Sequence, residues 1–166
     1  MEFLDIVNEK DEVVGKAPRS EIYEKLLPHR IVHVILFNSE GEMCLQLRSK
    51  EVSFCPSYWC TSAGGHVKSG ETPEAAGLRE LKEELGIKTD ITFAYKDLYV
   101  DQFRQTRMKK ILITFKGKYN GPFKINPEEV EQVKFFSMDN IQKMINKGEK
   151  FHPELLFLLE RHFGIE

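Results

Sequence analysis

The chain has 166 residues, of which 41% are hydrophobic and 30% charged. That length and balance fit one globular domain and exclude disordered and fibrous classes. The 24 Lys and Arg residues oppose 26 Asp and Glu, for a formal charge of -2, which argues against a chain-wide nucleic-acid footprint. Apolar runs such as residues 31–37 fall far short of the ~20 residues that span a bilayer, so no membrane association is expected. The acidic start, Met1-Glu2-Phe3-Leu4-Asp5, carries no apolar signal-peptide core. Cys44, Cys55 and Cys60 are an odd set, read as reduced thiols of a cytoplasmic protein. Cys55, Cys60 and His66 invite a zinc reading, but their spacing matches no compact zinc pattern.

Taken in chain order, the sequence alternates strands and helices. Residues 4–8 and 13–16 flank the turn Asn8-Glu9-Lys10-Asp11 and read as a hairpin. Residues 20–27 form a short amphipathic helix stopped by Pro28. The β-branched run 31–37 reads as a buried strand, with 42–48 as its hairpin partner. A loop over 49–57 leads to a short strand over 58–63. The best-marked helix spans 72–85, with Thr72 as N-cap, Pro73 at the first position, Glu74 at the positive end of the dipole and Gly86 as stop. Strands follow at 91–101, 108–119 and 133–136, then helices at 138–146 and 153–163. No linker or repeat interrupts the chain, so residues 1–166 read as a single domain of α/β class, with helices packed on a mixed sheet.

The chemistry concentrates between Gly64 and Ile87. Glu80, Glu83 and Glu84 stand at i, i+3 and i+4, so their carboxylates share a helix face, while Leu78, Leu81 and Leu85 supply an apolar stripe on another. Three adjacent carboxylates repel one another unless solvent or a cation screens them. Hard cations such as Mg²⁺ prefer such oxygen ligands and keep waters for exchange with substrate phosphate. The competing reading is an ordinary solvated helix face. Gly64-Gly65, just upstream, permit close backbone approach, or simply mark a tight turn.

One pattern narrows these alternatives. Gly65, five residues, Glu71, seven residues, then Arg79-Glu80-Leu81-Lys82-Glu83-Glu84-Leu85-Gly86-Ile87 resembles the complete Nudix box, with every fixed position filled. The wider run of elements is also similar to the Nudix α/β/α sandwich. The resemblance implies a metal-dependent pyrophosphohydrolase that splits a nucleoside diphosphate linked to another group, or a similar small diphosphate. It implies Glu83, Glu84, Glu80 and the Gly64 carbonyl as ligands of Mg²⁺ (or Mn²⁺), and Glu80 also as the base that activates water. Arg79 and Glu71 would be the pair that orients these carboxylates. Relatives often draw one more acidic group from a later loop, for which Glu128, Glu129 and Glu131 are candidates. A homodimer is what relatives often show.

The opening segment, Pro28-His29-Arg30, Gln46-Leu47-Arg48-Ser49 and Gly65-His66 resemble the isopentenyl-diphosphate-isomerase-like branch of the superfamily. The isomerase itself uses a cysteine where this chain has Gly64. It uses strand glutamates where this chain has Arg107-Met108-Lys109-Lys110-Ile111-Leu112-Ile113-Thr114, and it lacks the full box. Those departures favour hydrolysis over isomerisation. A non-catalytic nucleotide sensor is the third reading, weakened by the intact set of carboxylates. His29 and His66 match metal-binding histidines of the isomerase, but without the strand glutamates that site would be incomplete; for His66 a hydrogen-bonded structural role is favoured over contact with substrate or a second metal, and His33 reads as a satisfied core residue. Arg48 and Arg104 are the candidate substrate-binding cations. Lys109 and Lys110 read as solvated surface charges. Tyr58, Trp59 and Phe103 are read as packing rather than stacking on a base.

Overall fold

The computed structural model of the chain describes residues 1–102 and 107–166. Strands β1 (Phe3–Val7) and β2 (Val13–Pro18) form a separate two-stranded sheet, followed by helix α1 (Arg19–Glu24). The turn between them is built by Asn8, whose side-chain oxygen accepts from the backbone N–H groups of Lys10 and Glu12. Its tip is pinned to the rest of the molecule by Asp11, which takes Arg30 at 2.6 Å and Lys96 at 2.7 Å.

The main sheet contains β3 (His29–Phe37), β4 (Met43–Arg48), β5 (Trp59–Cys60), β6 (Ala63–His66), β7 (Thr92–Val100), β8 (Lys109–Lys118) and β9 (Val130–Phe136). Helix α2 (Pro73–Glu80) continues into one wider π-turn, Leu81–Leu85, and packs on one face. Helices α3 (Met138–Asn146) and α4 (Pro153–His162) cover the other. Strand β3 shows why two layers form. Val32, Val34 and Leu36 enter the core under α2 with Ala76, Leu81 and Leu85. Ile35, on the opposite face, joins Leu45, Ile141, Leu155 and Leu159 of the second core. A strand buried on both faces reads as one continuous apolar run.

Three sequence expectations change here. Strands β3 and β4 are joined by a tight turn, but pair only at Phe37 and Met43. Beyond that point they splay: β3 pairs with β8 in parallel and with β6, while β4 pairs with β9 and β5. The expected strand at 58–63 is therefore two pieces, β5 on β4 and β6 on β3, which together bridge the gap. The apolar stripe on α2 is also corrected. Leu81 and Leu85 are fully buried, but Leu78 is 37% exposed, and Ala76 and Gly77 take its place against the sheet. The small residues let the helix lie close; a Cβ on Gly77 would meet Val34 at 3.2 Å. Among the described residues, no helix is long and apolar enough to cross a membrane.

Candidate active site

The splayed strands open a cavity of about 870 Å³. One wall is the C-terminal half of α2 with its π-turn. Thr72 caps the helix by accepting from the Ala75 N–H, and Gly86 ends the π-turn in the left-handed region at φ 64°. Helix ends marked this way hold their side chains in a defined register, and π-turns recur at functional sites. Glu80, Glu83 and Glu84 all line the cavity, but not equivalently. Glu80 and Glu84 are buried, whereas the Glu83 side chain is half exposed.

The backbone of β6 lies against these carboxylates. A Cβ on Gly65 would stand 2.5 Å from Glu80 Oε1, and one on Gly64 would meet the Val32 carbonyl at 2.8 Å. Close approach to a backbone carbonyl requires glycine at 64, and at 65 a side chain would displace the Glu80 carboxylate. Arg79 ties the wall together. Its guanidinium donates through Nε and Nη2 to both Glu71 oxygens at 2.8 and 3.0 Å, to Glu80 at 2.7 Å, to Glu83 at 3.3 Å and to the His66 carbonyl at 3.0 Å. The hydrogen bonds from Arg79 hold the Glu71 carboxyl below its ordinary range. Such a forked guanidinium fixes carboxylate geometry as well as charge.

Glu84 is the least expected member of the group. Its Oε1 accepts from Gln46 Nε2 at 2.7 Å and from the Gly64 N–H at 3.4 Å. Burial pushes its carboxyl well above the usual range, and a hydrogen bond shared with Glu80 and the nearby Glu129 charge push it further. Burial also raises Glu80, against the opposing effects of Glu84 and Arg79. Two buried carboxylates in contact, with one arginine shared by Glu80 and Glu83, leave an excess of negative charge. A divalent cation would neutralise it, and the donors are the hard oxygens that Mg²⁺ or Mn²⁺ prefers. Among the described residues no three His, Cys, Asp or Glu side chains converge as a ready-made cage. A cation here would also need the Gly64 carbonyl and water.

The late acidic loop is stitched to the end of the π-turn. Lys124 N–H donates to the Leu85 carbonyl and Asn126 N–H to the Glu84 carbonyl, at 2.9 and 3.0 Å. Of the three late candidates, Glu129 lines the cavity, and Glu128 and Glu131 are not among its lining residues. Arg48 lines it too, its Nε donating to the Phe54 carbonyl at 3.0 Å. Arg104 and Phe103 lie outside the described residues. Trp59 packs edge-on against Phe136 in the second core, and Tyr58 sits under the Lys150 ammonium, so neither faces the cavity.

The opposite wall holds what sequence reasoning missed. Lys109 is a surface residue paired with Glu9, as expected. Lys110 is not: it is buried, lines the cavity and donates to Glu154 Oε2 at 2.9 Å, with Asp101 Oδ2 at 3.8 Å. In a strand, consecutive side chains face opposite ways, so one of two adjacent lysines had to point inward. Glu154 Oε1 lies 2.9 Å from His33 Nε2, and His33 Nδ1 lies 2.8 Å from Thr61 Oγ1. His33 is therefore satisfied, as expected, but at the cavity wall. Burial opposes ionisation of Glu154; the Lys110 charge and the His33 hydrogen bond outweigh it and hold the carboxyl well below its usual range.

His29 and His66 sit beside Lys110. His29 is the register partner of Lys110, and its ring lies 5.6 Å from that of His66. His66 Nε2 is hydrogen-bonded to the Tyr23 hydroxyl and His29 Nδ1 to the Leu27 carbonyl. Burial is the main cause that lowers both rings, to about 4 for His29 and about 3 for His66, so both are neutral at pH 7. Cys44, Cys55 and Cys60 are buried and form no disulfide, and burial pushes the Cys44 and Cys60 thiols up to about 12.

Comparison with known proteins decides the family. The NUDIX domain profile matches residues 27–159. The chain belongs to the Nudix family. It is 31% identical over 165 residues to a Nudix hydrolase of Deinococcus radiodurans, covering 99% of this chain and 96% of the relative. It is 32% identical over 169 residues to an uncharacterized Nudix hydrolase of Listeria monocytogenes, covering 100% and 96%. A crystal structure from Deinococcus radiodurans superposes with a TM-score of 0.82 at 28% identity, covering 98% of this chain and 99% of that one. The chain is thus a Nudix hydrolase with the family's α/β/α architecture, and the glutamate-lined wall is its candidate catalytic centre.

Proposed function

We propose that this hydrolase is a Mg²⁺-dependent pyrophosphohydrolase that cleaves the phosphoanhydride bond of a small diphosphate. The observation that carries the reading is the group Glu80, Glu83 and Glu84 against the glycine backbone of β6, with Arg79 bonded to two of the three. Glu80, Glu83, Glu84 and the Gly64 carbonyl would hold the cation, with Glu129 the late-loop carboxylate nearest to hand. Bound there, a divalent cation would polarise phosphoryl oxygens and make water more acidic. Glu80 would accept the proton of the attacking water; its burial favours the protonated form and so makes it a stronger base than an exposed glutamate. Arg79 and Glu71 would hold that carboxylate in place, while Arg48 would take the charge of the departing phosphate.

The isomerase-type reading loses ground for a structural reason. The two histidines that it would recruit to a cation are beside the Lys110 ammonium, which already supplies positive charge there. The reading as a catalytically silent sensor is separated by turnover. A panel of phosphoanhydrides, including isopentenyl diphosphate, is incubated with and without Mg²⁺, with Glu83→Gln beside the wild type. Mg²⁺-dependent cleavage that Glu83→Gln lacks is the expected result. Isomerised product would overturn the assignment. Tight binding without turnover would assign the site to sensing.

A further inference from the structure

The buried pair Lys110–Glu154 is hard to explain as a stabilising device. Taking two charges out of water is costly, and a hydrocarbon pair of the same volume often serves a fold as well or better. The pair does not sit in a packed core. It faces the cavity, together with His33, Thr61 and Asp101. The cavity of about 870 Å³ is near the upper end of the ~300–1,000 Å³ of small-molecule sites. A diphosphate at the glutamate wall fills only part of such a space. The remainder must take the group to which the diphosphate is attached.

What that group can be follows from the wall. An ammonium has three N–H donors. Lys110 donates to Glu154 at 2.9 Å, while Asp101, at 3.8 Å, is within ion-pair reach but too far for a second hydrogen bond. Donor capacity is left for a ligand. A hydrocarbon tail laid against this wall would leave the remaining Lys110 N–H donors without an acceptor. A group with oxygen or nitrogen acceptors would satisfy them.

We propose that Lys110, held by Glu154, is a specificity-determining residue that donates to an acceptor on the organic group of the substrate. The enzyme therefore selects diphosphates with a polar, hydrogen-bonding head, such as a nucleoside or sugar, over those with a hydrocarbon tail. His33 is a positioning residue: anchored on Thr61, its ring fixes the Glu154 carboxylate that in turn holds Lys110. The proposal rests on the pyrophosphohydrolase reading for its reaction, but its residues are separate from the glutamate wall.

The test uses the full chain with Mg²⁺ and two sets of probes. ADP-ribose, UDP-glucose and CDP carry polar heads; isopentenyl and geranyl diphosphate carry hydrocarbon tails. Removal of a hydrogen bond to a substrate group is expected to raise KM for the best polar-headed probe about tenfold or more in Lys110→Met, with kcat within about threefold. Lys110→Arg, which keeps a donor, should recover part of that loss. A merely structural lysine would lower kcat for both sets together, or lower the melting temperature without moving KM, and would overturn the proposal. So would a wild type that prefers the hydrocarbon-tailed set. Should Lys110→Met fail to fold, Lys110→Gln replaces it, with the same KM increase expected. If the wild type cleaves no probe, the hydrolase reading fails on its own, and Lys110 is judged by calorimetric binding. Binding of a polar-headed probe weakened about tenfold in the variant supports the proposal, and unchanged or undetectable binding by the wild type overturns it.

Discussion

Two buried glutamates line the same cavity under opposite electrostatic conditions. Burial drives the Glu84 carboxyl up, and its glutamate neighbour and a second acid nearby add to that against the opposing Gln46 hydrogen bond. Glu154 has a lysine and a histidine, and is held down. In the protein without a cation, the first is a charge the fold resists and the second a charge the fold has built for. The lesson is that burial alone does not assign a role. A carboxyl that is uncomfortable until a cation arrives marks a binding wall. A carboxyl already paired marks a wall that is finished and must be reading something else.

Activity gives the largest contrast. Glu84→Gln removes a cation ligand and should lower kcat by about 10²–10³-fold, the range seen when one preorganised electrostatic group is lost. Kinetics with saturating Mg²⁺ check it, and a decrease under threefold would remove Glu84 from the metal set. Gly65→Ala should come next. Its new Cβ would stand 2.5 Å from Glu80 Oε1, so Glu80 must move, with an expected loss of about 10–100-fold. Full activity in that variant would show that the close approach is not needed.

Stability sharpens the comparison with the order of effects reversed. Glu154→Gln leaves Lys110 without its closest counter-charge and should cost about 3–5 kcal/mol, as for other broken buried pairs. Glu84→Gln should cost nothing in metal-free protein, since a neutral side chain suits that site better. The sign follows from linkage. A folded pKa raised above the unfolded value means that the folded state loses stability as pH rises past about 4.5, so at neutral pH a neutral replacement relieves strain. Denaturant melts of both variants in EDTA would decide this, and equal destabilisation would break the distinction.

The buried histidines make stability depend on pH. His29 and His152 are both lowered to about 4, chiefly by burial. Between about pH 6.5 and 4 the unfolded chain binds protons that the fold does not, so stability falls as pH falls, by up to about 1.4 kcal/mol per pH unit per histidine. A melting temperature that stays flat from pH 7 to 5 would contradict the assignment of these rings as neutral.

The glutamate wall was legible in sequence because it is local. One helix carries Arg79, Glu80, Glu83 and Glu84, and its cap, its stop and the preceding glycines are neighbours in the chain. Helical spacing alone placed Leu78 on the wrong face, because Gly77 draws the helix onto β3 and turns Leu78 outward. The other wall is built from His33 of β3, Lys110 of β8, Glu154 of α4 and Thr61 of the β5–β6 link, which meet only through the parallel pairing of β3 with β8 and the packing of α4. No local pattern encodes that meeting. The splay of β3 from β4 was hidden for the same reason: a hairpin turn fixes where two strands start together, not how far they stay paired.

The direct test of the metal wall is the Mg²⁺ response of the melting temperature in wild type, Glu84→Gln and Glu154→Gln. A ligand that binds the folded state raises its stability in proportion to the logarithm of ligand concentration over Kd. The account predicts that Mg²⁺ raises the melting temperature of the wild type and of Glu154→Gln, and leaves Glu84→Gln where it was. An undiminished Mg²⁺ response in Glu84→Gln would contradict it, and would place the cation elsewhere than on the glutamates of the π-turn.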